Sequence, residues 1–135
     1  MKKLGKKIPM LLRAAKLGSE KAAPDLEFRI GAAMLYKGRV IISWNRQRTS
    51  PQAKKWYKYV ESGKQWHAEY GLFDRIMLDD LPIKSTIWVW RTWATNKNKT
   101  GMARPCLACR KMLKENGIIK VIYTIPGNMY EEEKL

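Results

Sequence analysis

The chain contains a single histidine and two cysteines, and all three lie in two short motifs. The first motif is His67-Ala68-Glu69, and the second runs from Pro105 through Cys106 to Cys109. One histidine and two cysteines match the rule for catalytic zinc, in which three protein ligands leave the fourth position for water. A carboxylate at Glu69 can move protons on and off that water without being a ligand. The two motifs therefore predict a zinc site with His67, Cys106 and Cys109 as ligands and Glu69 as the catalytic residue.

Two other kinds of site also use a cysteine pair of this spacing. A closed structural zinc site needs a fourth ligand, and an Asp or Glu would have to supply it because the chain has no further Cys or His. A thioredoxin-like redox pair leaves His67-Ala68-Glu69 unexplained. The shortage of Cys and His also argues against a second metal ion.

The pattern H-x-E followed by P-C-x-x-C is the signature of zinc-dependent nucleobase deaminases, and on these residues the chain resembles the cytidine deaminase superfamily. The resemblance covers about residues 28–124 and is strong at the two motifs only. It implies one zinc ion per chain and a bound water that attacks C4 of a cytosine ring. In that mechanism Glu69 takes a proton from the water and delivers protons to ring N3 and to the departing ammonia, which leaves uracil.

A length of 135 residues with 45% hydrophobic residues indicates a single domain over residues 1–135. Hydrophobic periodicity predicts the element order α-β-β-α-β-α-β. The helices begin at Ile8, His67 and Cys106, and the strands are Phe28–Tyr36, Val40–Trp44, Thr86–Trp93 and Ile118–Thr124. Gly18 and Gly117 are expected to end the first and third helices. Strands separated by such helices imply an α/β fold with a mixed sheet. The resemblance implies a three-layer α/β/α arrangement around four to five strands.

The two ends of the chain differ in charge. Residues 1–7 carry four lysines and no acidic residue, which predicts a mobile basic arm. Residues 126–135 are predicted to be an acidic tail, either a short helix or without regular structure. The apolar run after Lys7 is interrupted by Arg13, too early for a signal peptide, and no stretch reaches the length of a membrane span. We therefore expect a cytoplasmic protein, and the sequence leaves its oligomeric state open.

The net charge is +15, from 27 Lys and Arg against 12 Asp and Glu. Such a field attracts polyanions, so the favoured substrate is a single-stranded polynucleotide, DNA over RNA. The predicted nucleic-acid track consists of Arg46, Arg48, Lys54, Lys55, Trp56, Arg91, Lys97, Lys99 and Arg104. Free (deoxy)cytidine or its monophosphate is the alternative substrate. A further alternative is an inactive, zinc-stabilised nucleic-acid-binding module.

The resemblance also implies contacts to the substrate. Asn45, at the end of the second strand, is placed to contact the substrate sugar, although an asparagine there can instead cap backbone groups. Ala68 and Pro105 are expected to line the substrate pocket beside the zinc ligands. Trp90 or Trp93 is expected to stack on the base, while strand alternation sends at least one of them into the core. Adenine deamination on tRNA is less favoured, because Arg104 stands where those enzymes usually carry a glutamate.

Overall fold

The computed structural model describes residues 2–5, 7–22, 28–45, 68–73, 75–76, 80, 82–93 and 99–135. Within these residues the chain forms six strands and three helices. They are β1 (Lys2–Lys3), α1 (Met10–Lys21), β2 (Phe28–Tyr36), β3 (Arg39–Trp44), α2 (Ala68–Phe73), β4 (Thr86–Trp93), α3 (Leu107–Glu115), β5 (Lys120–Ile125) and β6 (Met129–Lys134). The predicted α/β class is confirmed, but the sheet has six strands rather than four to five.

The six strands form one sheet in the order β1-β6-β5-β4-β2-β3. Strands β4 and β5 pair in parallel, with Trp88 opposite Ile122, and the other neighbours pair antiparallel. A parallel pair needs a long crossover connection, which α3 provides here. The segment that leaves β4 therefore leads to the predicted metal cysteines at the start of α3.

The extra strands come from the two ends of the chain, where the predictions were wrong. The tail forms β6 and pairs with β5 along its whole length. Gly127 and Asn128, with φ angles of 91° and 57°, make the tight turn between these strands. Lys2–Lys3, predicted to lie in a mobile arm, pairs with β6 at Met129 and Tyr130. Hydrogen bonding to a neighbouring strand thus orders both ends, and charge composition gave no sign of this.

Helices cover both faces of the sheet, as expected for three layers. Helix α1 packs on one face, where Leu12 and Ala15 meet Ala33 and Trp90. Helices α2 and α3 pack on the other face around a larger core that includes Met34, Leu72, Val89, Met112, Leu113 and Val121. Among the described segments, no helix is both long and apolar enough to cross a membrane.

Helix α1 lies unusually close to the sheet because of two glycines. It runs to Lys21 and does not end at Gly18 as predicted. A Cβ at Gly18 would lie 2.9 Å from the carbonyl oxygen of Ser43. A Cβ at Gly31 of β2 would overlap the carbonyl oxygen of Ala15 and the backbone nitrogen of Ser19. Gly18 therefore serves as a contact point between helix and sheet, and the helix continues through it.

We expect Gly31→Ala to destabilise the fold by about 2 to 3 kcal/mol, because the added methyl group must push α1 away from β2. Gly5→Ala is the matched control, since nothing lies within 4 Å of the Cβ it would add. Urea unfolding of both variants measures the difference in free energy of unfolding. Equal stability of the two variants would show that α1 does not make this close contact.

Candidate active site

Helix α2 carries Glu69 into the interior. Ala68 and Leu72 anchor the helix in the core and are 1% and 0% exposed. Glu69 itself is only 5% exposed, and its carboxylate interacts with the thiol of Cys109 through a hydrogen bond and through its charge. A carboxylate this far from water is stable only with polar or charged partners. His67, which directly precedes α2, lies outside the described residues.

The two cysteines lie at the N-terminal end of α3, where the sequence predicted them. Cys106 is the N-cap residue, and its Sγ accepts a hydrogen bond from the backbone N–H of Cys109 at 3.5 Å. Cys109 is fully buried, whereas Cys106 is partly exposed. Residues three apart share one side of a helix, so both sulfurs face the same way. Pro105, which lacks an N–H that would need a partner, is buried just before the cap.

The surroundings of Cys109 favour the neutral form of its thiol. Burial raises the pKa of the Cys109 thiol well above its ordinary value. The hydrogen bond with Cys106 and the negative charge of Glu69 raise this pKa further. Two thiols at this spacing could supply two of the ligands of a borderline-soft divalent cation such as zinc. The cluster therefore fits the predicted zinc chemistry.

The segment that leads into Cys106 is fixed to the sheet by hydrogen bonds. The Thr100 hydroxyl donates to the carbonyl of Ile125 at 2.7 Å and accepts from the N–H of Asn128 at 2.9 Å. The N–H of Ala103 donates to the carbonyl of Thr124 at 2.9 Å. The turn between β5 and β6 thus holds the approach to the cysteine pair.

The structure separates the two candidate tryptophans. Trp90 is 4% exposed and packs under α1, on the face of the sheet opposite to Glu69. Its indole N–H donates to Thr92 at 3.1 Å, so Trp90 is excluded as a stacking partner for a substrate at the Glu69 site. Trp93 is three residues from Trp90 in β4, so its side chain lies on the opposite face of the sheet, which carries α2 and α3. It is 43% exposed, and its indole N–H donates to the carbonyl of Thr100 at 2.8 Å.

Asn45 extends the hairpin between β2 and β3 by one step. Its Oδ1 accepts from the N–H of Ile30 at 2.9 Å, and its own N–H donates to the Ile30 carbonyl at 3.0 Å. The side-chain oxygen therefore caps a backbone group, as the alternative interpretation of this residue required. Contact of the Asn45 amide with a sugar stays a prediction.

The predicted nucleic-acid track is only partly within the described residues. Arg46, Arg48, Lys54, Lys55, Trp56 and Lys97 lie outside them. Lys99 is exposed. Arg91 donates to the carbonyl of Met102 at 3.4 Å, and its guanidinium lies 5.7 Å from the centre of the Trp93 ring. Arg104 pairs with Glu133 at 3.0 Å. The two arginines are thus engaged by other groups of the protein.

Within the part of the chain that the structure describes, no group of three His, Cys, Asp or Glu side chains is arranged to hold a metal ion. The predicted third ligand, His67, lies outside that part. The zinc ion therefore stays a prediction that is compatible with the described sulfurs.

Comparison with known proteins gives one informative result. No protein-family profile and no curated protein sequence matches the chain. Among solved structures, the chain is similar to a cytidine deaminase from Burkholderia pseudomallei, with a TM-score of 0.65 and 26% sequence identity. The match covers 92% of this chain and 89% of that one. The similarity supports a fold of the cytidine deaminase-like superfamily and a deaminase function in general.

Sequence reasoning missed two residues that organise the site. Glu133 lies in the tail that was predicted to be a short helix or without regular structure, and no role was predicted for Thr100. The β6 segment Met129–Lys134 contains three consecutive glutamates and no apolar alternation, so its local sequence did not indicate a strand. No local pattern indicated the contacts of Thr100, because its partners lie 25 and 28 residues away.

We expect Thr100→Val to reduce stability by about 1 to 3 kcal/mol, since it leaves a buried carbonyl and a backbone N–H without their partner. Thr86→Val is the control, because Thr86 is a half-buried strand residue whose side chain makes no hydrogen bond to the described residues. The control should change stability by less than about 0.5 kcal/mol. Thermal unfolding of both variants gives the comparison, and equal losses would contradict an anchoring role for Thr100.

Proposed function

We propose that this protein is a zinc-dependent hydrolytic deaminase that converts cytosine to uracil. The observation that carries the proposal is the buried Glu69 beside Cys109, with Cys106 on the same turn. Burying a carboxylate next to two thiols is costly, and a structural role does not require it. A catalytic proton carrier in a site that excludes water does require such a placement.

The zinc ion would be held by Cys106, Cys109 and His67. The two cysteines lie at the N-terminal end of α3, where the positive end of the helix dipole would offset part of the cost of ionising the two thiols when the metal binds. When bound, zinc supplies Lewis-acid activation of the attacking water. Glu69 is not needed as a ligand and is available for proton transfer.

Glu69 carries protons in both halves of the reaction. As the water oxygen adds to C4 of the ring, Glu69 accepts one proton from the water and delivers it to N3. It then takes the remaining proton of the added hydroxyl and gives it to the amino nitrogen. The C4–N bond breaks, ammonia leaves, and the carbonyl of uracil forms. A single carboxylate therefore balances the reaction of water and cytosine to give uracil and ammonia.

The observations point to two different substrate classes that contain cytosine. The match to a cytidine deaminase along nearly the whole length of both chains favours a free nucleoside. The net charge of +15 and the half-exposed Trp93 favour a single-stranded polynucleotide. Trp93 is held by one hydrogen bond and by Arg91, so it could offer a fixed ring to a neighbouring base. We propose the free nucleoside as the first candidate and the polynucleotide as the second.

Glu69→Gln should lower the rate of uracil formation at least about a hundredfold, because the amide cannot accept the proton of the water. The variant should still contain one zinc ion per chain by mass spectrometry of the metal. Cys106→Ser, in contrast, should lose both zinc and activity. Full activity of Glu69→Gln would refute the enzymatic proposal. Loss of zinc from this variant would indicate that Glu69 is a zinc ligand.

A competition assay distinguishes the two substrates. Cytidine, deoxycytidine, their monophosphates and a single-stranded oligonucleotide are offered to the zinc-loaded protein, and uracil is quantified in each. For the first candidate, uracil forms mainly in the nucleosides, and Trp93→Ala has little effect. For the second, uracil forms mainly in the oligonucleotide, the rate falls steeply with added salt, and Trp93→Ala lowers it about tenfold while Trp93→Phe does not.

A further inference from the structure

Two arginines flank the cysteine pair, and both bind the same carboxylate. Arg104 lies two residues before Cys106, and Arg110 directly follows Cys109. Glu133 of β6 accepts from Arg104 through both of its oxygens, at 3.1 Å from Nε and 3.0 Å from Nη2. Nη1 of Arg110 lies 2.7 Å from Oε1 of the same carboxylate. One side chain from the last strand thus joins both ends of the turn that carries the predicted zinc sulfurs.

The position of Glu133 is set by the sheet. Glu133 pairs with Val121 of β5, and the neighbouring pair joins Glu131 to Tyr123 two residues along each strand. The Tyr123 hydroxyl contacts Oε2 of Glu133 at 3.3 Å, and the Tyr123 ring is 5% exposed in the core under α3. Glu133 is 23% exposed, less than half the value for Arg104. The carboxylate is therefore a fixed point to which the two arginines are attached.

We propose that Glu133 is a positioning residue for the zinc site. By binding both Arg104 and Arg110, it fixes the turn that carries the two cysteines. This inference rests on the proposed function, since it concerns how tightly Cys106 and Cys109 hold zinc. We call the three residues Arg104, Arg110 and Glu133 the carboxylate bridge.

Two physical effects of the bridge act in the same direction. First, Arg104 and Arg110, which flank the cysteine pair in sequence, would repel a divalent cation bound there, and the Glu133 carboxylate offsets part of their charge. Second, the bridge orders the turn before the metal binds. The loss of conformational entropy on ordering the turn therefore does not weaken zinc binding. Partly exposed ion pairs add little to the stability of a fold. The effect of the bridge should therefore appear in metal affinity rather than in overall stability.

Glu132 is a closely matched control. It is the neighbouring residue in the same strand, it has the same side chain, and alternation sends it to the opposite face of the sheet. Its ion pair among the described residues is with Lys120 at 2.7 Å, and its side chain is 52% exposed. Glu132→Gln and Glu133→Gln thus remove the same charge from the same strand, but only the second one breaks the bridge.

The experiment measures the zinc affinity of the full-length protein by competition with a chromophoric chelator. Glu133→Gln should lower this affinity about tenfold, the size usually found for residues that support metal ligands. The zinc affinity of Glu132→Gln should stay within about twofold of that of the unsubstituted protein, because this variant changes the charge without breaking the bridge. Thermal unfolding of the two variants should differ by less than about 2 °C, which separates metal affinity from general destabilisation.

A second comparison tests whether the residues act together. If the bridge is one unit, Arg104→Gln combined with Glu133→Gln should bind zinc no more weakly than Glu133→Gln alone. Full additivity of the two losses, or equal zinc affinities of Glu133→Gln and Glu132→Gln, would overturn the bridge while leaving the deaminase proposal intact. An unsubstituted protein that takes up no zinc would refute the proposed function, and the bridge with it.

Discussion

The contact between the Glu69 carboxylate and the Cys109 thiol is the interaction on which the rest of the site depends. Both groups are almost fully removed from water, and they come from helices that are distant in sequence. Because an isolated buried charge is expensive, these two groups can lie together only if the site resolves their charges with a proton or a cation. That requirement links the fold to the proposed chemistry, in which Cys109 would hold the metal and Glu69 would accept a proton.

The sheet provides the rigidity that this contact needs. Parallel pairing of β4 with β5 forces the chain to cross over through α3, so the cysteines must follow the end of β4. The turn between β5 and β6 then holds the crossover through Thr100, and β6 holds it through Glu133. Strand β6 and the turn before it thus contact the segments on either side of the cysteine pair.

Charge in this protein serves two purposes that composition alone does not separate. Arg104 and Arg110 are engaged with Glu133, and Lys120 is paired with Glu132. These cations form ion pairs within the protein. Lys99 is exposed and adds to the positive field around the protein. The positive charge of the chain therefore indicates a kind of partner only when the Lys and Arg residues that form internal ion pairs are not counted.

The sequence by itself determined the α/β class, the bounds of most central elements to within a few residues, and the roles proposed for Glu69, Cys106 and Cys109. These follow from local periodicity and from the spacing of rare residue types, which neighbouring residues encode. Only the tertiary structure decided that Trp90 is buried under α1, that Gly18 is a contact point between helix and sheet rather than a helix end, and that Glu133 joins two arginines. Each of these depends on pairing between segments far apart in the chain, and the register of such pairing is fixed by packing rather than by any local pattern.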